Sequence, residues 1–199
     1  MIKGNMIELI PAGITDRENV YNWCFHSETT KSHAGPPDFP DMIIPTYKEF
    51  YEDYTDYFFT GTEPEKGRGF IITHEGAQVG FISYTCFHLK QHKAELDIWF
   101  NSEAHCGKGL GTDAIVSLCD FLNKTLEIQE FIIRPSVKNT RAVKSYKKSG
   151  FEEAAELPGN YLLDEYKELY GDGDYGAGGD VFLVKKYPTN QKAGGKMYW

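Results

Sequence analysis

The feature that most constrains this chain is the run Cys106-Gly107-Lys108-Gly109-Leu110-Gly111-Thr112. A strand-like stretch, residues 94–100, stands just before it. Just after it, Ile115, Leu118, Cys119 and Leu122 recur at the spacing of an amphipathic helix. Three glycines therefore fall on a strand-to-helix turn. Alternating glycines remove Cβ atoms and open backbone conformations closed to other residues. Their N–H groups can line one concavity, to which the helix adds its own unpaired N–H groups and the positive end of its dipole. Such a bend can hold a pyrophosphate without any obligatory side chain. The spacing is neither that of a P-loop nor that of a dinucleotide fingerprint. On the glycines alone, a phosphate cradle and a plain tight turn are equally good readings.

Composition narrows the partners. The 199 residues carry 21 Lys and Arg against 29 Asp and Glu, a formal net charge of −8. That balance disfavours nucleic acid and anionic membrane and suits a cationic small molecule. Nothing approaches the run of about 20 apolar residues needed to span a bilayer. The four cysteines, Cys24, Cys86, Cys106 and Cys119, form no C-x-x-C pair, and no signal-like segment opens the sequence. The reading is a cytoplasmic protein with free thiols, no metal, and a monomeric or homodimeric state.

Taken in order, residues 6–10 read as a strand, and a helix follows from Thr15 or Asp16 to about His26. The prolines at 36, 37, 40 and 45 make residues 32–45 a loop. Thr46 and Glu49 form a capping-box pair that predicts one helix over 47–59. Residues 70–73 and 77–84 read as a hairpin. Alternation along 94–100 puts Glu95, Asp97 and Trp99 on one face and Leu96, Ile98 and Phe100 on the other. After the glycine helix, ending near Lys124, residues 130–134 form a strand. Asn139 caps a helix to Ser149, and Gly150 closes it. Strands follow at 151–155 and 181–184. Between them, seven acids and four tyrosines over 156–180 predict a mobile acidic, aromatic loop, or one wall of a pocket for a polycation. Residues 1–187 make one domain, and 188–199 a tail.

Two of these segments resemble a known family. The glycine run is similar to motif A of the GNAT acyl-CoA-dependent N-acetyltransferases, Gln/Arg-x-x-Gly-x-Gly/Ala. Gly109 and Gly111 take the small positions, and Cys106 stands where Gln or Arg is usual. Asn139-Thr140-Arg141-Ala142-Val143-Lys144-Ser145-Tyr146-Lys147-Lys148-Ser149-Gly150-Phe151 resembles motif B, Asn-x-Arg-Ala-x-x-x-Tyr-x-Lys-x-Gly-Phe. Within the superfamily, the spacing from Asp97 to Gly111 most resembles that of the aminoglycoside 6′-N-acetyltransferases.

The resemblance implies an α/β (α+β) fold. Its central sheet is mixed and mostly antiparallel, of six to seven strands, splayed at the fourth (94–100), with helices on both faces. It implies acetyl-CoA as cosubstrate. Trp99, Phe100 and Asn101 would hold its pantetheine and acyl end, with a backbone N–H among them for the oxyanion. Cys106, Gly107, Lys108, Gly109, Leu110, Gly111 and Thr112 would hold its phosphates, and Asn139, Ala142 and Tyr146 its arm. An attacking alkylamine, with a pKa of about 10.4, must first lose a proton. Asp97 is the first choice for binding the ammonium and taking that proton, and Glu95 the second. Tyr146 sits where the family places the acid for the departing thiolate. The expected reaction is acetylation of a primary amine on an aminoglycoside- or polyamine-like cation. A protein N-terminus or lysine as acceptor, and a non-catalytic acyl-CoA-binding module, stay open as alternatives.

Overall fold

The computed structural model describes residues 1–33, 43–170 and 181–188. The prolines at 36, 37 and 40, the glycine-rich run at 171–179 and all but the first residue of the tail lie outside them. One eight-stranded sheet organises the rest: β1 (Ile2–Lys3), β2 (Glu8–Pro11), β3 (Gly67–His74), β4 (Ala77–Thr85), β5 (Lys93–Phe100), β6 (Glu130–Ile133), β7 (Glu152–Glu153) and β8 (Leu183–Lys186). The spatial order is β1-β2-β3-β4-β5-β6-β8-β7. Among the described strands, β5 and β6 alone run parallel. The count exceeds the expected six to seven because Ile2–Lys3 adds a short edge strand.

Alternation decides what each face buries. Leu9, Ile72, Ile82, Leu96 and Ile98 face the 17-residue helix α5 (Leu110–Leu126), meeting Ala114, Ile115, Leu118, Cys119 and Leu122. Their neighbours Ile71, Phe81 and Trp99 face the opposite layer. That layer is built from α1 (Arg17–Phe25), the short α2 (Thr30–His33), α3 (Tyr47–Asp53) and α4 (Asp56–Thr60). Val20, Cys24, Phe50, Phe58 and Phe59 are among its buried apolar residues. A further helix, α6 (Thr140–Lys148), lies beside α5.

Local chemistry explains most boundaries. Thr46 Oγ1 accepts from the Glu49 N–H while Glu49 caps Thr46 in return. Glu75 (φ 51°) and Gly76 (φ 81°) form the tight β3–β4 turn. Asn139 caps α6 through the Ala142 N–H, and Gly150 (φ 89°) lets the chain leave it.

Three expectations shift. The predicted helix over 47–59 breaks at Tyr54 (φ −100°, ψ 71°) and restarts at Asp56. The last strand sits two residues later than expected, because the Val181 N–H is taken by the Pro135 carbonyl. Of the two forms expected of residues 156–170, the loop gives way to the wall. Tyr161 and Leu162 pack with Leu89, Ile132 and Val184, and short helical turns end in α7 (Lys167–Tyr170).

The β5–β6 ladder stops early. Lys93, Ala94 and Glu95 pair with Glu130, Phe131 and Ile132, and the register ends there. The rest of β5 is therefore flanked by β4 alone, which is the expected splaying of this strand.

Leu118 is fully buried between α5 and the sheet. Leu118→Ala is expected to cost about 2–5 kcal/mol in urea unfolding. A loss under about 1 kcal/mol would mean that α5 does not carry the core.

Candidate active site

The open seam beside β5 fixes where free backbone groups point. The Asn101 N–H donates to the Val79 carbonyl, and Trp99 stands opposite Phe81. In an antiparallel pair, backbone direction alternates residue by residue. Trp99 and Asn101 therefore turn their N–H groups toward β4, while Ile98 and Phe100 turn theirs into the seam. The Phe100 carbonyl confirms the direction by accepting from Thr29 Oγ1 across it. Of the stretch expected to supply a free N–H, Phe100 does so; Asn101 is committed through its backbone and, via Nδ2, to the Gln78 carbonyl at 3.0 Å.

A cavity of about 410 Å³ opens along this seam. Its floor is Ile98, Trp99 and Phe100. The glycine turn closes one end, with Gly107 at φ 73° and Gly109 at φ 90°. Gly109 is also the N-cap of α5 and brings no side-chain cap, so the first-turn N–H groups face outward unclaimed by one. A Cβ at Gly111 would stand 3.4 Å from the Phe100 ring and 3.8 Å from Ser145 Oγ, inside the cavity. Cys106, Thr112, Asn139, Ala142 and Tyr146 also line it. Lys108 and Leu110 do not: Lys108 is exposed on the outer side of the turn, and the Leu110 side chain is in the core.

Some lining residues were not anticipated. Arg141, Lys144 and Lys148 lie on one face of α6 and give this cavity a positive wall, and His105 also lines it. Their i, i+3, i+7 spacing was the available signal. Arg141 is fixed by a two-pronged bond to Glu103. The Cys106 thiol is pushed up by burial, so it is a neutral group here, with Sγ 3.7 Å from the Ser102 carbonyl.

A second cavity, about 700 Å³, lies on the other side of β5. Asp97 and Glu95 are on its floor, with Arg134 beside them. Glu52, Asp53, Tyr54 and Tyr57 form one wall, and Phe87, Tyr166 and Tyr170 the other. The aromatic wall is continuous: Phe87 meets Tyr166 at 5.4 Å and Tyr170 at 6.2 Å.

The two carboxylates differ. Asp97 is open to the cleft, and the Tyr54 hydroxyl donates to its Oδ2 at 2.8 Å. Crowding by protein raises its pKa, and the charge of Glu95 adds to this. The Tyr54 bond, the Ile98 N–H and Arg134 act in the opposite sense. Cys24 and Tyr146 also feel its charge. Glu95 is instead tied on both oxygens, by His88 Nε2 at 2.7 Å and by Arg134 Nε. Burial works against its charge, but these partners outweigh that and hold it below the usual carboxylate range. The expected substrate ligand Glu95 thus faces the cleft with its oxygens already committed. Burial pushes the Tyr146 phenol up, and Asp97 adds to the shift, so Tyr146 remains a proton donor at neutral pH.

Ile98, Asn139 and Tyr146 line both cavities. The two spaces meet there, through the gap left by the missing ladder. A group held in one can react with a group held in the other only at this junction. Among the described residues, no three His, Cys, Asp or Glu side chains converge as metal ligands. No described helix is long and apolar enough to cross a membrane.

Solved structures with this fold include an aminoglycoside acetyltransferase, AAC(6′)-Ib, bound to coenzyme A and kanamycin. It is 19% identical, with a TM-score of 0.64, over 90% of this chain and 94% of that one. A spermidine N-acetyltransferase from Vibrio cholerae, bound to CoA and spermine, is 18% identical with a TM-score of 0.61, over 90% and 94%. A ribosomal L7/L12 alpha-N-protein acetyltransferase bound to coenzyme A is 13% identical with a TM-score of 0.64, over 92% and 94%. At these identities the likeness is one of fold. The family model described as Acetyltransferase (GNAT) domain matches residues 7–152, well over half of the sequence, and the chain belongs to that family.

Proposed function

We propose that the protein transfers an acetyl group from acetyl-CoA to a primary amine of a small cationic molecule, by direct attack within a ternary complex. The observation that carries this reading is the junction itself. A backbone-lined, positively walled cavity meets an acidic, aromatic cleft, with Tyr146 at their contact and Asp97, next in sequence to Ile98, on the cleft floor.

Acetyl-CoA fits the first cavity. Its phosphates would lie against the glycine turn, the first turn of α5 and the α6 bases. When bound, it supplies an activated acyl group. Asp97 binds the acceptor ammonium and takes its proton, directly or through water. The Phe100 N–H, unclaimed by β6, meets the negative charge that develops on the acyl oxygen. Tyr146 donates to the departing sulfur.

The acceptor reading rests on the cleft walls. Glu52, Asp53 and Asp97 attract cations, and Tyr57, Phe87, Tyr166 and Tyr170 offer ring faces to them. Arg134 is paired with Glu95 and does not reverse that charge. Kanamycin and spermine in the neighbouring structures are both polycations. The wall made by residues 158–170 narrows the cleft, which favours a small acceptor over a protein N-terminus or lysine side chain. An aminoglycoside acceptor would make this an antibiotic-resistance enzyme.

Release of coenzyme A should be followed with kanamycin, spermidine, spermine and an N-terminal peptide as acceptors. Turnover with at least one of the three cations is expected; turnover with the peptide alone would overturn the small-cation reading. Asp97→Asn is expected to lower kcat/KM by about 10²–10⁴-fold, and Tyr146→Phe by about tenfold or more, with coenzyme A affinity retained in calorimetry. Gly111→Val should do the reverse, weakening coenzyme A binding by about tenfold or more. Asp97 acts as the carboxylate, and its pKa is raised. kcat/KM should therefore fall with acid through a midpoint above that of an ordinary aspartate.

A further inference from the structure

Tyr54 falls inside the single helix that the capping box predicts over 47–59. In the structure it stands at the break between α3 and α4, where the chain leaves helical geometry. Four rings fix its side chain. It stacks on Phe50 at 4.9 Å and 19°, lies against Phe58 at 4.9 Å, and meets Phe81 and Trp99 edge-on at 6.0 and 5.9 Å. The hydroxyl emerges from this apolar clamp at Asp97 Oδ2, 2.8 Å away. Ser83, the cross-strand partner of Asp97, borders the same hydroxyl.

We infer that Tyr54 is a positioning residue for acetyl transfer, holding Oδ2 of Asp97 so that Oδ1 is presented to the acceptor amine. This rests on the reading of Asp97 as the base. A carboxylate reached only by water would rotate and would be more basic. The phenol bond, added to that of the Ile98 N–H, removes that freedom and further stabilises the charged form. The donor is dependable because burial, and then the charge of Asp97, lift the phenol well above its ordinary pKa; it stays protonated at every working pH. The other groups around the carboxylate are fixed by different elements. Cys24 belongs to α1, Glu95 to β5 and Tyr146 to α6, and Arg134 directly follows β6. Of the side chains around Asp97, Tyr54 donates the bond to Oδ2, from the wall that also carries Glu52 and Asp53. The arrangement links recognition of the cation to the geometry of the base.

Tyr54→Phe keeps all four ring contacts and deletes the hydroxyl alone. Carbon-13 NMR of aspartate-labelled protein, with coenzyme A bound, reads the Asp97 carboxyl without any acceptor; Asp97→Asn assigns the signal. Its midpoint is expected to rise by about one pH unit in Tyr54→Phe. With spermidine or kanamycin as acceptor, the acidic limb of kcat/KM should move up by the same amount. The plateau kcat should fall severalfold, with KM for acetyl-CoA unchanged. An unmoved NMR midpoint, or a uniform loss of rate with an unmoved limb, would overturn the inference. Persistence of the acidic limb in Asp97→Asn would instead overturn the assignment of Asp97 as base, whatever Tyr54 does. Far-ultraviolet circular dichroism and coenzyme A calorimetry on Tyr54→Phe separate these outcomes from misfolding.

Discussion

The structure depends on a hydrogen-bond ladder that is not completed. Pairing between β5 and β6 ends at Glu95 and Ile132, although β5 continues to Phe100. A backbone N–H left unpartnered inside a protein costs about 1–3 kcal/mol. The fold carries that cost at Phe100, whose N–H faces the seam, while the Ile98 N–H beside it is taken by the Asp97 carboxylate; the site forms around this stretch. The rest of the architecture keeps the gap from closing. On one side α5 and α6 pack against each other, joined by Thr112 and Ser145 at 3.0 Å. On the other, Thr29 bonds the Phe100 carbonyl and Asn139 bonds the Ser32 carbonyl. These bonds span the opening without filling it.

Charge is distributed to suit the two sides of that gap. The chain is acidic as a whole, yet Arg141, Lys144 and Lys148 gather on one helix face beside the glycine turn. The acidic excess appears on the opposite side, with Glu52, Asp53 and Asp97. Glu95 would add to it, but Arg134 absorbs its charge while His88 bonds its other oxygen. The cleft therefore has one carboxylate on β5 that can exchange a proton with solvent, and a second that is locked.

Much of this was legible because it is local. Glycines at positive φ, the Thr46–Glu49 box, the Asn139 cap and the alternation along β5 each depend on a few neighbouring residues. Asp97 and Tyr146 were singled out as candidates because motif spacing set them apart from ordinary strand acids and core tyrosines, and both line the cleft. What escaped depends on contacts distant in sequence. The break at Tyr54 reflects packing against Phe81 and Trp99, 27 and 45 residues away, which local helix propensity does not register. The capture of Glu95 by His88 and Arg134 joins β5 to two other segments. The shift of the last strand follows from one bond between Val181 and Pro135. Residues 156–170 looked mobile from their charge and tyrosines, but Tyr161 and Leu162 find an apolar surface on β6 and β8 that no nearby residue announces.

Among the described residues, Ile98, Asn139 and Tyr146 alone belong to both cavities. Everything else divides cleanly: the glycine turn, α5 and α6 on one side, α3, α4 and the 158–170 wall on the other. Such a division makes the molecule modular under selection. Drift in the second set can retune which amine is accepted while the machinery that handles the acyl donor stays untouched, so new specificities can arise here without first dismantling an old activity.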